Sequence, residues 1–331
     1  MFNIAVRAGI VVGAVALTVC AQDRGADLSK MTGSIKVDGS STVEPISSAV
    51  AEAFAEVAPS VRVTVATSGT GGGFKRFVTG DLDISDASRP IKKDEVDVAS
   101  SNAVEFIELP VAYDGLSIVV NKKNTFVDKL TIDDLKKIFL ESTAAKTWKD
   151  VRPEWPDKPI KVFSPGTDSG TFEYFKEVVA GKEGSIRRDI SVSEDDNVLV
   201  RGVAGDENAI GYFGFAYYWE NKDKLKVVKI DGGKGPVEPN HETIEKGTYA
   251  PFSRPLFIYV STKAAARPEV KAFVNFYLDQ AHEVVEQVGY VQLPQSIYAV
   301  AKKNFANAKT GTQFLGPDGK SKHGPLSEIY K

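Results

Sequence analysis

Three times in this chain a run of alternating apolar residues ends in glycines and hydroxyls and passes, without a spacer, into residues of helical period: VDGSSTVEP at 37–45, TSGTGGGFKRF at 67–77 and SPGTDSGTFEYF at 164–175. A strand that turns straight into a helix, repeated, constrains the fold more than composition does, because it requires an α/β architecture in which strand ends and helix starts share a rim. Ile35 and Val37, then Val61, Val63 and Val65, have strand period, and Ile46, Val50, Phe54 and Val57 between them have helical period.

All three loops offer the same chemistry. The first turn of a helix has N–H groups without helical partners and a partial positive charge, glycine lets the backbone approach a ligand, and Ser or Thr adds donors without charge. Pro45 fits a first turn, where an N–H has no helical partner. A hydroxyl residue before a helix is also the ordinary N-cap. Three such loops, each after a strand, point instead to an oxyanion site, since in open α/β sheets ligands gather beyond the carboxyl ends of strands. A fourth segment, LDISDASRP at 82–90, brings Asp86, Ser88 and Arg89 together, and Arg89 offers a fork of donors to an anion.

Further strands are expected at 106–109, 116–121, 160–163, 210–213, 226–230 and 256–260, and helices at 132–139, 171–179, 270–279 and 282–288. No Pro/Gly/Ser linker bisects the 331 residues. The chain is therefore expected to form two lobes that it enters, leaves and re-enters, with crossings near Gly115–Asn121 and Ser253–Tyr259: lobe 1 from 34–117 and 256–331, lobe 2 from 118–255.

The N-terminal stretch is of another kind. Phe2–Ala21 holds one charge, Arg7, and the apolar run Ala8–Val19 suits a signal peptide and is short for a membrane span. The expectation is a signal peptide at 1–21 and a polar tether at 22–33. Two processing routes are open, cleavage after Ala21 or lipidation at Cys20, for which Val19 is a poor preceding residue. Cys20 is the only cysteine, so no internal disulfide can form.

With 41 Lys+Arg against 44 Asp+Glu, the net charge of −3 gives no field for nucleic acid. Gly69–Arg76 lacks the Gly-Lys-Ser/Thr ending of a P-loop, which argues against nucleotide phosphotransfer. In Gly166–Gly170 the serine stands one place too late for a nucleophile elbow, and His241, His282 and His323 sit in no recognisable motif. Asp195 and Asp196 behind Ser193 read as helix-start acids rather than a metal site. No cofactor, no metal and no catalytic residue is expected.

GSSTVEPI, SGTGGGFKRF, DISDASRPI, GTDSGTFEYF, SEDDNVLVRGV, AIGYFGFAYY and RPLFIYV, in this order from about Ser34 to near the C-terminus, closely resemble the periplasmic phosphate-binding proteins of phosphate-specific ABC importers. The resemblance implies a two-lobed type II periplasmic binding fold, mixed sheets flanked by helices, that hinges shut on phosphate. By motif, Ser41, Thr42 and the Val43 backbone hold the anion from lobe 1 with Thr70 and Ser88, and with Gly71 at the second loop. Ser169, Gly170 and Thr171 answer from lobe 2.

Better-known members carry an arginine where this chain has Pro165 and an aspartate where it has Ser88-Arg89, so Arg89 is expected to supply the positive charge. Asp168 and Asp86 are the candidates for accepting the proton by which phosphate is told from sulfate. The implied function is capture of inorganic phosphate by an exported, monomeric, non-enzymatic protein in the periplasm or cell envelope, and delivery to a membrane permease. Alternatives are a sulfate or molybdate binder, or a secreted phosphatase or esterase.

Overall fold

A computed structural model describes residues 27–167, 169–181, 184–193, 195–322 and 324–331. The expected signal peptide, Cys20 and Asp168 lie outside them. The strands are β1 (Gly33–Gly39), β2 (Val61–Thr67), β3 (Ile84–Ala87), β4 (Phe106–Asn121), β5 (Lys129–Thr131), β6 (Lys161–Pro165), β7 (Ser191–Ser193), β8 (Ala209–Gly214), β9 (Leu225–Val227), β10 (Lys229–Asp231), β11 (Pro236–Val237) and β12 (Ser253–Ser261). The helices are α1 (Glu44–Val57), α2 (Gly69–Phe77), α3 (Lys93–Ser101), α4 (Ile132–Phe139), α5 (Trp148–Val151), α6 (Gly170–Val179), α7 (Asp196–Gly205), α8 (Phe215–Glu220), α9 (His241–Glu245), α10 (Thr262–Ala265), α11 (Pro268–Gln287), α12 (Gln295–Ala306) and α13 (Leu326–Ile329).

The main sheet runs β2-β1-β3-β12-β4-β8-β6-β7, with β9 also paired to β4. β1 pairs parallel with β2 and β3, and β6 pairs parallel with β7 and β8, so each end of the sheet carries its own parallel block. Antiparallel β12 and β4 join the blocks. β4 changes partner along its length: Phe106 to Gly115 pair with β12, and Leu116 to Val120 with β8. That one strand belongs to both lobes of the α/β fold.

The sequence reads β4 as two strands because Pro110 and Gly115 interrupt the pattern. The structure makes it one, buried along its whole length, so no alternation between faces is imposed. Pro110 is tolerated because the register with β12 shifts between Leu256 and Phe257, where a bulge replaces regular pairing. Likewise 270–279 and 282–288 are one helix, α11, whose buried stripe continues through Ala281 to Val284 and Val285. The expected strand at 226–230 is divided between β9, on the main sheet, and β10, in a small sheet with β5 and β11.

Each lobe has an aromatic core. In lobe 1 Phe54 of α1 meets Phe273 and Phe276 of α11 edge-on, with centroids 5.3 Å apart in both pairs. In lobe 2 Phe175 stacks on Tyr212 at 3.8 Å while Phe139 meets Phe175 edge-on at 4.7 Å. Each such contact contributes about 0.5–1.5 kcal/mol beyond area burial. The C-terminal segment returns to lobe 1, where buried Glu108 accepts hydrogen bonds from Tyr259 Oη (2.8 Å), Thr312 Oγ1 (2.5 Å) and the Gln313 amide (3.0 Å).

The start of α2 is pressed against the end of β1. A Cβ on Gly73 would lie 2.6 Å from Gly39 Cα and 2.9 Å from Ser85 Oγ, whereas one on Gly71 would meet nothing within 4 Å. Gly73→Ala should therefore lower stability by about 1–3 kcal/mol, seen as a lower urea midpoint with an unchanged slope. Gly71→Ala should not, and equal losses in both variants would contradict this packing.

Candidate anion-binding site

The loops that follow β1, β2 and β3 are tied together by their backbones. The Ser68 amide donates to Gly39 O at 3.1 Å and the Ser40 amide to Asp86 O at 2.9 Å. Gly39 has φ +143°, and a Cβ there would lie 2.1 Å from Asp86 O, so only glycine allows this approach. Thr70 Oγ1 accepts from the Ser88 amide at 3.1 Å and shares a hydrogen bond with Ser88 Oγ at 3.0 Å.

Capping and ligand binding can now be separated, helix by helix. At α1 the residue before the helix is Val43, and at α2 it is Ser68; neither makes a side-chain cap hydrogen bond. At α6 Ser169 Oγ accepts from the Thr171 amide at 3.2 Å, as an N-cap does. The first two loops thus keep their helix starts without side-chain caps, and the third spends its serine on its own helix.

Lobe 1 and lobe 2 meet where Thr42 faces Gly170: a Cβ on Gly170 would lie 2.2 Å from Thr42 Oγ1. The approach requires a glycine, and it places the starts of α1 and α6 against each other. Ser41 Oγ is buried with no hydrogen-bond partner among the described residues. The Val43 amide, expected to hold an anion, donates instead to Ser40 O at 3.1 Å in a turn that leads into α1.

Arg89 is paired within lobe 1. Its Nη1 and Nη2 donate to Glu95 at 2.9 and 2.7 Å, Nη1 also donates to Pro90 O, and the guanidinium lies 5.2 Å from the Phe74 ring centre. The bidentate partner neutralises it. Arg76 is likewise paired, with buried Asp38.

The cation that reaches the junction is Arg254, which the sequence reading missed. It opens β12 and stands opposite Asp114 of β4 in the strand register. Its Nε donates to Asp114 Oδ2 and its Nη2 to Thr42 Oγ1, both at 3.3 Å, while its guanidinium carbon lies 3.6 Å from the centre of the Tyr174 ring on α6. One side chain thus touches the lobe 1 loop, the crossing strands and the lobe 2 helix. Burial pushes the Asp114 carboxyl above its ordinary range, and Arg254 draws it part of the way back.

The described histidines sit elsewhere, His241 edge-on to Phe215 and Trp219 and His282 against Tyr298, so neither is placed as a base for Ser169. Among the described residues no His/Cys/Asp/Glu group is arranged to hold a metal ion, and no helix is long and apolar enough to cross a membrane.

A family model described as a PBP superfamily domain matches residues 26–281. The phosphate-binding protein PstS of Staphylococcus saprophyticus is 43% identical over 297 residues, 89% of this chain and 89% of that one. The chain belongs to this family of phosphate-binding proteins. Protein SphX of Synechococcus elongatus is 49% identical over 285 residues, 85% of this chain and 84% of that one. Among solved structures, a possible phosphate binding protein from Planctomyces limnophilus matches with a TM-score of 0.81 at 46% identity, covering 84% of this chain and 99% of that one. An ABC-type phosphate transport receptor from Vibrio cholerae matches at 0.63 and 25% identity, covering 78% and 99%. The fold of this family member is the type II periplasmic binding fold.

Asp86, a candidate proton acceptor in this phosphate-binding-protein homologue, lies in the core beneath α1. It is fully buried, its Oδ1 accepts from Ser47 Oγ at 3.0 Å, and Ser47 Oγ in turn shares a hydrogen bond with Tyr277 Oη. Burial, with the negative Glu44 and Asp38 nearby, pushes the Asp86 carboxyl up to about 8 against the partial relief of Ser47. Burial therefore favours its protonated form, and its side chain faces the core rather than the loop rim.

Unfolded, the same carboxyl loses its proton near pH 4, so between about pH 4 and 8 the folded state binds the extra proton and stability falls as pH rises. Asp86→Asn is neutral throughout and escapes that loss. Its Tm advantage over the parent should therefore widen by at least about 2 °C from pH 5 to pH 8; a gap that is flat or narrows would contradict the buried-acid assignment.

Proposed function

We propose that this chain is an exported solute-binding protein that captures inorganic phosphate between its lobes and delivers it to the permease of an ABC importer. The observation that carries the reading is the meeting of Thr42, Gly170 and Arg254, where two α/β lobes present helix starts and one largely buried guanidinium to the same point. Family membership supports the ligand, the names of the relatives support delivery to an importer, and the apolar leader at 2–21 supports export.

In this reading Ser41, Thr42, Thr70 and Ser88 donate from lobe 1, and Ser169, Gly170 and Thr171 close from lobe 2. Arg254 gives charge-assisted hydrogen bonds, while Asp114 behind it holds the guanidinium plane. Asp168 is the carboxylate assigned to the phosphate proton, because sulfate brings no proton to such a group and meets repulsion instead.

Calorimetric titration of the ligand-stripped protein tests this. Phosphate should bind, with sulfate at least about a hundredfold weaker, a difference of about 2.7 kcal/mol. Arg254→Gln should lose at least about tenfold in phosphate affinity, about 1.4 kcal/mol, and Arg89→Gln less than threefold. No phosphate binding sinks the proposal, and a larger loss at Arg89 returns the cation to the place expected from sequence.

A further inference from the structure

A cavity of about 400 Å³ lies between the lobes and borders the candidate site at Ser88, Ser253 and Arg254. That is more room than one tetrahedral oxyanion fills and lies in the range of pockets that take small molecules. Much of its lining is apolar, Tyr174 and Val178 from α6, Ile244 from α9, and Phe314 and Leu326 from the C-terminal segment, with the charged Arg89, Glu177 and Lys322 beside them. That size and lining, apolar side chains with a few polar groups among them, are those of a small-molecule pocket.

The polar groups of this lining are not all used by the protein itself. Ser253 Oγ is buried without a hydrogen-bond partner among the described residues. Arg254 Nη1 is 3.9 Å from Glu177 Oε2, beyond hydrogen-bond reach. A site built only for a bare oxyanion has no use for an apolar wall drawn from three separate parts of the chain. The Glu108 hydrogen bonds that hold Thr312 and Gln313 also keep the C-terminal part of that wall in place.

We propose that the cleft also accepts a phosphoryl group bearing one compact apolar substituent, with its terminal oxygens on Ser88, Ser253 and Arg254 and its substituent in the cavity. The proposal rests on the reading of the cleft as a phosphate site. A phosphonate or a phosphate monoester keeps three terminal oxygens for the donors and turns only the fourth position toward the apolar wall. A second substituent on phosphorus would leave too few oxygens for them.

The test is calorimetric titration of the ligand-stripped full chain with inorganic phosphate, phenylphosphonate and phenyl phosphate, in the parent and in Val178→Trp and Lys322→Trp, both of which place bulk in the cavity. The parent should bind at least one phenyl compound within about tenfold of phosphate, and the carbon-linked and ester-linked probes tell which source is taken. Val178→Trp should weaken that compound at least tenfold while phosphate stays within twofold, which also shows that the variant folds; Lys322→Trp should act in the same direction. Binding of phosphate with neither phenyl compound bound up to millimolar concentration overturns the proposal and leaves the phosphate reading intact, as does phenyl binding that neither variant weakens. Phenyl binding without phosphate binding overturns the phosphate reading, and binding of neither overturns both.

Discussion

The pairing of Arg254 with Asp114 is the constraint around which the rest is arranged. Both side chains are nearly buried, 14% and 4% exposed, and a charge there without its partner would cost about 3–5 kcal/mol. The pair can form only because β12 and β4 run antiparallel in a register that sets residue 254 opposite residue 114. That register also carries β4 from one lobe into the other. The crossing that joins the lobes and the placement of the buried cation are therefore one structural fact.

Seen from the cation, the hydroxyl loops acquire their geometry. Arg254 reaches Thr42, Thr42 is held against Gly170, and glycine is needed at 170 because any side chain would occupy the space of Thr42 Oγ1. Thr70 and Ser88 are linked to each other and, through Gly39, Ser68 and Asp86, to the start of α1. One uncharged donor, Thr42, meets one half-neutralised guanidinium, an arrangement that suits an oxyanion without several desolvated cations.

Much of this was legible in the sequence, and the parts that were not share a cause. The strand-to-helix loops could be read because period and composition are local: Gly71, Ser169 and Thr171 stand in helix starts where the pattern puts them. Arg254 could not, since SRPLFIYV reads as the opening of an ordinary strand and its partner lies 140 positions away. At Arg89 the part not legible is its partner. Glu95, six residues on in the first turn of α3, was visible, but nothing local says that its carboxylate turns back to Arg89. Pro110 and Gly115 hid the continuity of β4 because a bulge and burial on both faces are tertiary facts. Asp86 read as a loop acid beside an anion, and the structure turns its side chain into the core against Ser47.

In the proposed function one anion, held across this junction, joins the two lobes. Small-angle X-ray scattering of the ligand-stripped protein before and after saturating phosphate measures it most directly. Closure predicts a smaller radius of gyration with phosphate, and no such change on adding equal sulfate. Superimposable curves, with calorimetry showing every site filled, would mean that the anion does not draw the lobes together.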